Sequence, residues 1–268
     1  MEDAGTDGSG PSFALPSHWF WWEDGAHDGA TNMATDEALR GLARPGVAVW
    51  RWYSWARPTV SFGRHERVLG RFSRERLAAT GLDAVRRPTG GRALLHAREL
   101  TYSVTLALPT RYPWTAAYNA INRVLLDALL AMSVPVTRAS GAPAVSPDGP
   151  VCFDQPANGE LVVHGQKLVG SAVWRRGDAY LQHGSILLHD DQALLADADT
   201  LPPPPAASLS ALLPGRGDDA LQRAAFDATA AVLQRFATMA PFVVPPDWAS
   251  RLASHYRHFA DPEWLWRR

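Results

Sequence analysis

Residues 85–104 read VRRPTGGRALLHARELTYSV, the end of one strand, a glycine loop and the start of another strand. Leu82–Arg87 is predicted as a strand, entered from a helical stretch, Arg74–Thr80, that stops at Gly81. The strand runs into a loop, Pro88-Thr89-Gly90-Gly91-Arg92. Leu100–Leu108 (LTYSVTLAL) then alternates at period two, the mark of a strand. Upstream, Trp19–Trp22 reads as a short strand. Asp28–Arg44 reads as a helix with Met33, Ala34, Glu37, Ala38 and Leu42 at helical spacing, stopped by Pro45-Gly46. Val47–Tyr53 alternates as a strand, with Thr59–Phe62 its expected partner across the Ala56-Arg57-Pro58 turn. Downstream, Thr115–Met132 is a long amphipathic helix, and Ser133–Pro150, rich in Pro, Gly and Ser, reads as a surface loop. Glu160–His164, Lys167–Trp174 and Tyr180–Leu188 read as three strands joined by tight turns. Asp191–Ala198 is a short helix, Leu201–Pro205 a proline break, and Asp218–Met239 and Asp247–Phe259 two closing helices. Interleaved strands and helices without a repeat predict one α/β domain over residues 17–268, after a disordered leader, residues 1–16.

The chain has 268 residues, 46% hydrophobic and 20% charged, enough for a sizeable core. A net charge of −1 gives no footprint for nucleic acid or a membrane surface, and neither partner is expected. The leader has no basic and apolar regions of a signal peptide, and no stretch is apolar for long enough to span a bilayer. A single cysteine excludes an internal disulfide, and with nine dispersed histidines it offers no zinc spacing; no metal is expected, and the thiol fits a reducing cytoplasm.

That cysteine, Cys152, precedes the only lysine, Lys167, by fifteen residues, and every other basic residue among the 26 is arginine. A lone lysine in such a background marks a position where a compact ammonium is needed instead of a planar fork. A neighbouring ammonium is also a direct way to ionise a thiol. The plain alternative is codon bias, with one surviving lysine and one buried thiol. Three further segments carry chemistry. In Arg86-Arg87-Pro88-Thr89-Gly90-Gly91-Arg92, two glycines let backbone N–H groups turn toward an anion and three arginines add charge; otherwise it is a turn with solvated arginines. In ELVVHGQKLVGS, residues 160–171, Lys167 follows a hairpin turn, and Gly170-Ser171 permits close backbone approach within a strand. In Leu181-Gln182-His183-Gly184-Ser185, His183 is a ligand contact or a satisfied core histidine, and His96 stands under the same alternative.

Read in order, these segments resemble the lipoate–protein ligase and octanoyltransferase family, built on the biotin/lipoate ligase catalytic fold. The resemblance runs through ATNMATDEALR, WRWYSWARPTVSFGRHE, VRRPTGGRALLHARELTYSV, GELVVHGQKLVGSAVWRR, LQHGSILL and the terminal HFADPEWLWRR. It implies a mixed sheet flanked by helices, α/β in the broad α+β sense. It implies that the Arg86–Gly91 loop lines an acyl pocket and binds the activating group or pantetheine. It also implies that Lys167 contacts the acyl carbonyl and that His96 and His183 frame the cleft.

Two chemistries run on this fold. Ligases activate lipoate with ATP and magnesium as an acyl-adenylate and need no cysteine. Octanoyltransferases take octanoate from acyl carrier protein through a cysteine thioester and need no cofactor. Val151-Cys152-Phe153 ahead of GELVVHGQKLVGSA resembles the branch whose nucleophile lies in a loop upstream of the lysine hairpin. The resemblance therefore implies Cys152 as nucleophile, Lys167 as its electrostatic partner, and backbone N–H groups at Gly170-Ser171 or Gly90-Gly91 for the oxyanion. Lys167 or His183 would take the proton of the acceptor lysine, on a lipoyl domain such as the glycine cleavage H protein. Trp174 and Leu94 are expected to line the acyl slot. Transfer between two lipoyl domains, ATP-dependent ligation, and a non-catalytic module that recognises lipoyl domains or acyl ligands are the other readings.

Overall fold

In the computed structural model, residues 13–139, 159–200 and 205–267 are described. The chain opens with β1 (His18–His27), α1 (Gly29–Arg40) and β2 (Val47–Trp55), and period-two alternation in β2 sorts its side chains onto two faces. Trp50 and Trp52 enter the main core, whereas Arg51 and Tyr53 turn toward α1. Asp28 caps α1 by accepting from the Thr31 N–H at 2.9 Å. The helix ends at Arg40, a turn before the expected Arg44. β3 (Thr59–Phe62), α2 (Arg74–Thr80), β4 (Asp83–Arg86) and β5 (Leu94–His96) follow, then β6 (Glu99–Ala107), α3 (Trp114–Ala131) and β7 (Thr137–Arg138). β8 (Leu161–Val163), β9 (Gln166–Arg176) and β10 (Ala179–Leu187) form the predicted run of three strands. The chain continues through a 3-10 turn at Gln192–Leu195, α4 (Leu209–Leu212), α5 (Asp218–Leu233), β11 (Thr238–Pro241), α6 (Trp248–Phe259) and α7 (Pro262–Leu265).

Among the described residues, eight strands form a mixed sheet in the order β11-β1-β2-β6-β10-β9-β8-β7, and three form a small sheet, β4-β3-β5. β1 runs parallel to β2 and β11, and the rest of the large sheet is antiparallel. One face carries α3 and α5 over the main core, with Tyr102, Val104 and Leu106 of β6 inserted beneath them. The opposite face carries α1, backed by α6, and the small sheet beside it. The site lies between this face and the small sheet. No helix among the described residues is long and apolar enough to cross a membrane.

Four expectations are corrected. β3 is not the hairpin partner of β2: both edges of β2 are taken by β1 and β6, so β3 leaves to pair with β4 and β5. The first closing helix ends at Leu233, because Thr238–Pro241 fills the outer edge of β1 as a parallel strand. Of the expected surface loop, Val134 and Val136 are buried beneath α3 and Thr137–Arg138 pairs with β8; residues 140–150 lie outside the described residues. Residues 1–12 of the expected leader also lie outside them, while Phe13 and Leu15 pack against the core, Phe13 edge-on to Tyr112.

Candidate functional site

The loop between β4 and β5 is held from beneath. Arg87 donates to the Gly90 and Arg92 carbonyls at 2.9 and 2.8 Å and to the Ser61 carbonyl at 2.8 Å. Gly63 lies so close to Gly91 that a Cβ on it would overlap the Gly91 carbonyl, and Gly91 itself has φ +91°. The Glu66 carboxylate closes the base by accepting from the Gly63 and Ala93 N–H groups at 2.9 and 2.8 Å. Burial raises Glu66 above its ordinary value, although Arg87 draws it down.

Sequence reasoning placed Arg86, Arg87 and Thr89 together as pocket residues, and the structure separates them. Arg86 points away, donating to the Gly63, Glu66 and Leu265 carbonyls at 2.6, 2.9 and 3.0 Å. Burial, then the neighbouring Arg267, lowers it to about 10. The Trp264 indole returns a bond to the Arg86 carbonyl at 2.9 Å, so this arginine ties the terminal segment to β4. Alternation explains it: successive residues on a strand face opposite ways, and Arg87 takes the side of the site. Thr89 is fully buried and lies behind the cavity wall, its hydroxyl 2.7 Å from His183 Nε2.

Two buried histidines stand on this frame. His183 Nδ1 faces Asp36 Oδ2 at 3.0 Å. Burial lowers the His183 imidazole, an effect that Asp36 only partly offsets, so the ring is neutral near pH 7. Its Nδ1–H is then donated to Asp36, and Nε2 accepts from Thr89. Burial raises the Asp36 carboxyl, but the bond from His183 and the Arg51 charge outweigh it and leave it below its ordinary value. His96 Nδ1 lies 2.5 Å from Glu99 Oε1 and its Nε2 2.7 Å from Ser61 Oγ, with the ring stacked on Trp55 at 4.0 Å. The same Glu99 oxygen accepts from Thr101 and Ser185 at 2.6 and 2.7 Å.

The third wall is β9. Lys167 is buried with its ammonium 2.6 Å from Glu160 Oε1. Further along, Ser171 Oγ meets Tyr102 OH at 2.7 Å, and the backbone passes so close to Gly184 of β10 that a Cβ there would overlap the Gly170 carbonyl. These walls enclose a cavity of about 1030 Å³. Arg87, Gly90, Gly91, Arg92, His96, Lys167, Gly170, Ser171 and His183 all line it, together with the expected Leu94 and Trp174. Cys152 lies outside the described residues. Among the described residues no group of three or more His, Cys, Asp and Glu is arranged to hold a metal ion.

Asp36, Glu99, Glu160, Ser61 and Glu66 were not singled out from sequence. Asn32 and Asp36, polar residues one helical turn apart in α1, were the available signal for the first. Glu160 opens the quoted lysine segment, but nothing in the spacing pairs it with Lys167, because the pairing is made across a hairpin whose register shifts between Leu161 and Val162.

A buried lysine and two carboxylate-held histidines thus stand around a glycine loop and a large cavity. The fold is that of the lipoate–protein ligases: a lipoate-protein ligase A bound with ATP superposes with a TM-score of 0.74 at 16% identity, over 94% of this chain and 99% of that one. A bi-partite lipoate protein ligase of Thermoplasma acidophilum, solved with its E2 lipoyl domain, gives 0.76 at 16% identity, over 93% and 96%. The chain belongs to the lipoyl protein ligase A/B catalytic domain family, whose model matches residues 28–204. The octanoyltransferase LipM of Anoxybacillus flavithermus is 40% identical over 191 residues, 66% of this chain and 68% of that protein. The octanoyltransferase LipM of Exiguobacterium is 33% identical over 262 residues, 89% and 94%.

Proposed function

We propose that this enzyme is an octanoyltransferase of protein lipoylation that takes its acyl group from acyl carrier protein, holds it as a thioester on Cys152, and passes it to a lysine of a lipoyl domain such as that of the glycine cleavage H protein. The observation that carries the reading is Lys167, fifteen residues after Cys152 in the chain and buried in the cavity wall against Glu160. The identity to proteins named octanoyltransferase supports it, whereas likeness to ligases at 16% identity speaks for the fold alone.

In the first step the Cys152 thiolate, favoured by the Lys167 charge, attacks the donor carbonyl. A Cys–acyl bond forms, the pantetheine C–S bond breaks, and the leaving thiolate takes up a proton. In the second step the acceptor amine attacks, the amide C–N bond forms, the Cys152 thiolate leaves, and the amine gives up a proton. Backbone N–H groups of the Gly90-Gly91 loop or of Gly170-Ser171 stabilise the tetrahedral oxyanion. Neutral His183, its Nδ1–H fixed by Asp36, would receive the amine proton on Nε2 once the Thr89 hydroxyl turns away from it; Lys167, paired with Glu160 as the ammonium, would do so only after giving up its own proton. Thioester exchange is nearly isoenergetic and amide formation is downhill, so the reaction needs no ATP, metal or other cofactor. The free thiol that this reaction requires fits a reducing cytoplasm.

Intact-protein mass spectrometry tests this. Incubation with octanoyl–acyl carrier protein, without ATP, is expected to add one octanoyl group, absent in Cys152→Ala. A bound acyl-adenylate after octanoate or lipoate with ATP and magnesium, and no adduct from the thioester, would overturn it in favour of a ligase.

A further inference from the structure

Outside the glycine loop stands a group of cations that the acyl chemistry does not use. Arg64 follows β3 and is fixed by its own N–H to the Thr89 carbonyl at 2.7 Å. Its guanidinium lies between two indoles, 4.9 Å from the Trp174 ring and 5.6 Å from the Trp264 ring. Arg267 covers the same Trp264 ring at 4.2 Å and donates to the Arg64 carbonyl. Arg40 packs on Trp174 at 4.5 Å, but its charge is matched by Glu37. Among the described residues neither Arg64 nor Arg267 makes an ion pair. His258, 4.2 Å from Trp264, completes the group. Asp261 and Glu37 are the carboxylates that act on His258, and the second is the one engaged by Arg40. Burial and then the Arg64 charge lower both His258 and Arg267.

Aromatic faces hold guanidinium groups in place while leaving their N–H edges available, and arginine edges match phosphate oxygens. Trp174 links the group to the reaction chamber, since it also lines the cavity that holds Lys167. The two residues are seven apart on one strand, roughly 23 Å at the usual rise. From thioester sulfur to phosphorus, a phosphopantetheine arm has about thirteen bonds and reaches roughly 16 Å when extended. The reach of the lysine and arginine side chains covers the difference.

We propose that Arg64 and Arg267, braced on Trp174 and Trp264, bind the phosphate of the donor's phosphopantetheine arm and so measure its length against Lys167. This rests on the thioester-transfer reading given above. It assigns Arg64 and Arg267 to donor recognition and leaves the carbon chain to the cavity.

The test compares octanoyl-pantetheine, octanoyl-4′-phosphopantetheine and octanoyl–acyl carrier protein as donors, with wild type, Arg64→Gln and Arg267→Gln. The readout is the ratio of kcat/KM between the phosphorylated and unphosphorylated small donors. Both rates come from one sample, so a poorly folded variant loses both and keeps the ratio. Wild type is expected to favour the phosphorylated donor by roughly tenfold or more, the scale of hydrogen bonds to a charged group, and each variant to bring the ratio near one. A wild-type ratio near one, or a preference retained in both variants, overturns the proposal. Loss confined to octanoyl–acyl carrier protein also overturns it and assigns the arginines to the carrier's protein surface. A wild-type protein that uses none of the three thioesters sinks the transfer reading itself, a different pattern from either.

Discussion

The Lys167 ammonium lies 2.6 Å from a carboxylate oxygen of Glu160, and both side chains are buried. Removing a lysine from water favours its neutral form, and a close carboxylate favours the charged one. Glu160 is the carboxylate that holds this ammonium in place for the proposed thiolate. Glu160→Gln is expected to cost at least tenfold in turnover, about 1.4 kcal/mol of barrier. Glu160→Asp should recover part of the activity. The half-broken buried pair should also destabilise the fold by about 3–5 kcal/mol, measurable by urea unfolding. A Gln variant that loses stability but keeps the wild-type kcat would show that Glu160 only packs.

His183 gives the fold an acid sensitivity whose direction follows from its burial. The folded-state value lies below the ordinary 6.5, so the unfolded chain binds a proton first as pH falls. The histidine's contribution is full above 6.5 and is lost as pH drops from there toward the folded value. Asp36, lowered from 3.8, contributes above that value and is lost only in stronger acid. His258 is lowered as well and adds slope in the same window. Stability measured between pH 7 and 5 should fall in wild type, and His183→Gln should remove up to one proton's worth of slope, about 1.4 kcal/mol per pH unit. An unchanged slope would mean that His183 takes up its proton equally in the folded and unfolded states.

The loop's geometry makes a sharper demand. Gly63 and Gly91 touch through backbone atoms that cannot yield as a side-chain tip would. Gly63→Ala is expected to destabilise the protein by about 2–4 kcal/mol and to lower kcat/KM even at temperatures where it is fully folded, because the loop must move outward. Gly90→Ala, where a Cβ would meet nothing, is the control for stability. Differential scanning calorimetry with parallel kinetics distinguishes loop displacement from simple unfolding.

Why one glycine was legible and the other was not illustrates the limits of the sequence. Gly90-Gly91 stands beside arginine and threonine in a run that reads as a binding loop, whereas Gly63 becomes meaningful only when β3 is laid against the loop by pairing with β4 and β5. Period-two runs such as LTYSVTLAL gave their strands directly. The sheet to which Thr59–Phe62 belongs could not be read that way, because it depends on which edges other strands have already filled. The same holds for side chains. His96, Lys167 and His183 stood out by type and context, but their carboxylate partners Glu99, Glu160 and Asp36 are ordinary residues until folding places them. Arg86 and Arg87 look equivalent in sequence, and only the strand's alternation sends one to the terminal segment and the other under the loop.

Leu94 gives access to the acyl selectivity. It lines the cavity, and its other neighbours in the buried cluster are Leu187 and Ala206, so it forms apolar wall and takes no part in the polar frame around Lys167. The cavity's 1030 Å³ exceeds what an eight-carbon chain fills, leaving room for the donor arm as well. Chain length is therefore limited by local walls and not by total volume. Leu94→Trp adds bulk on that wall, and each methylene excluded from an apolar site is worth about 0.8 kcal/mol. The variant is expected to lower kcat/KM for octanoyl donors by roughly tenfold or more against butanoyl donors while leaving the butanoyl rate within about twofold. Competition between the two thioesters, read by mass spectrometry of the product, measures the ratio in one tube. Equal losses for both chains would place Leu94 away from the acyl slot and move the search to Met33 and Trp55, which line the cavity on the side of α1 and β2.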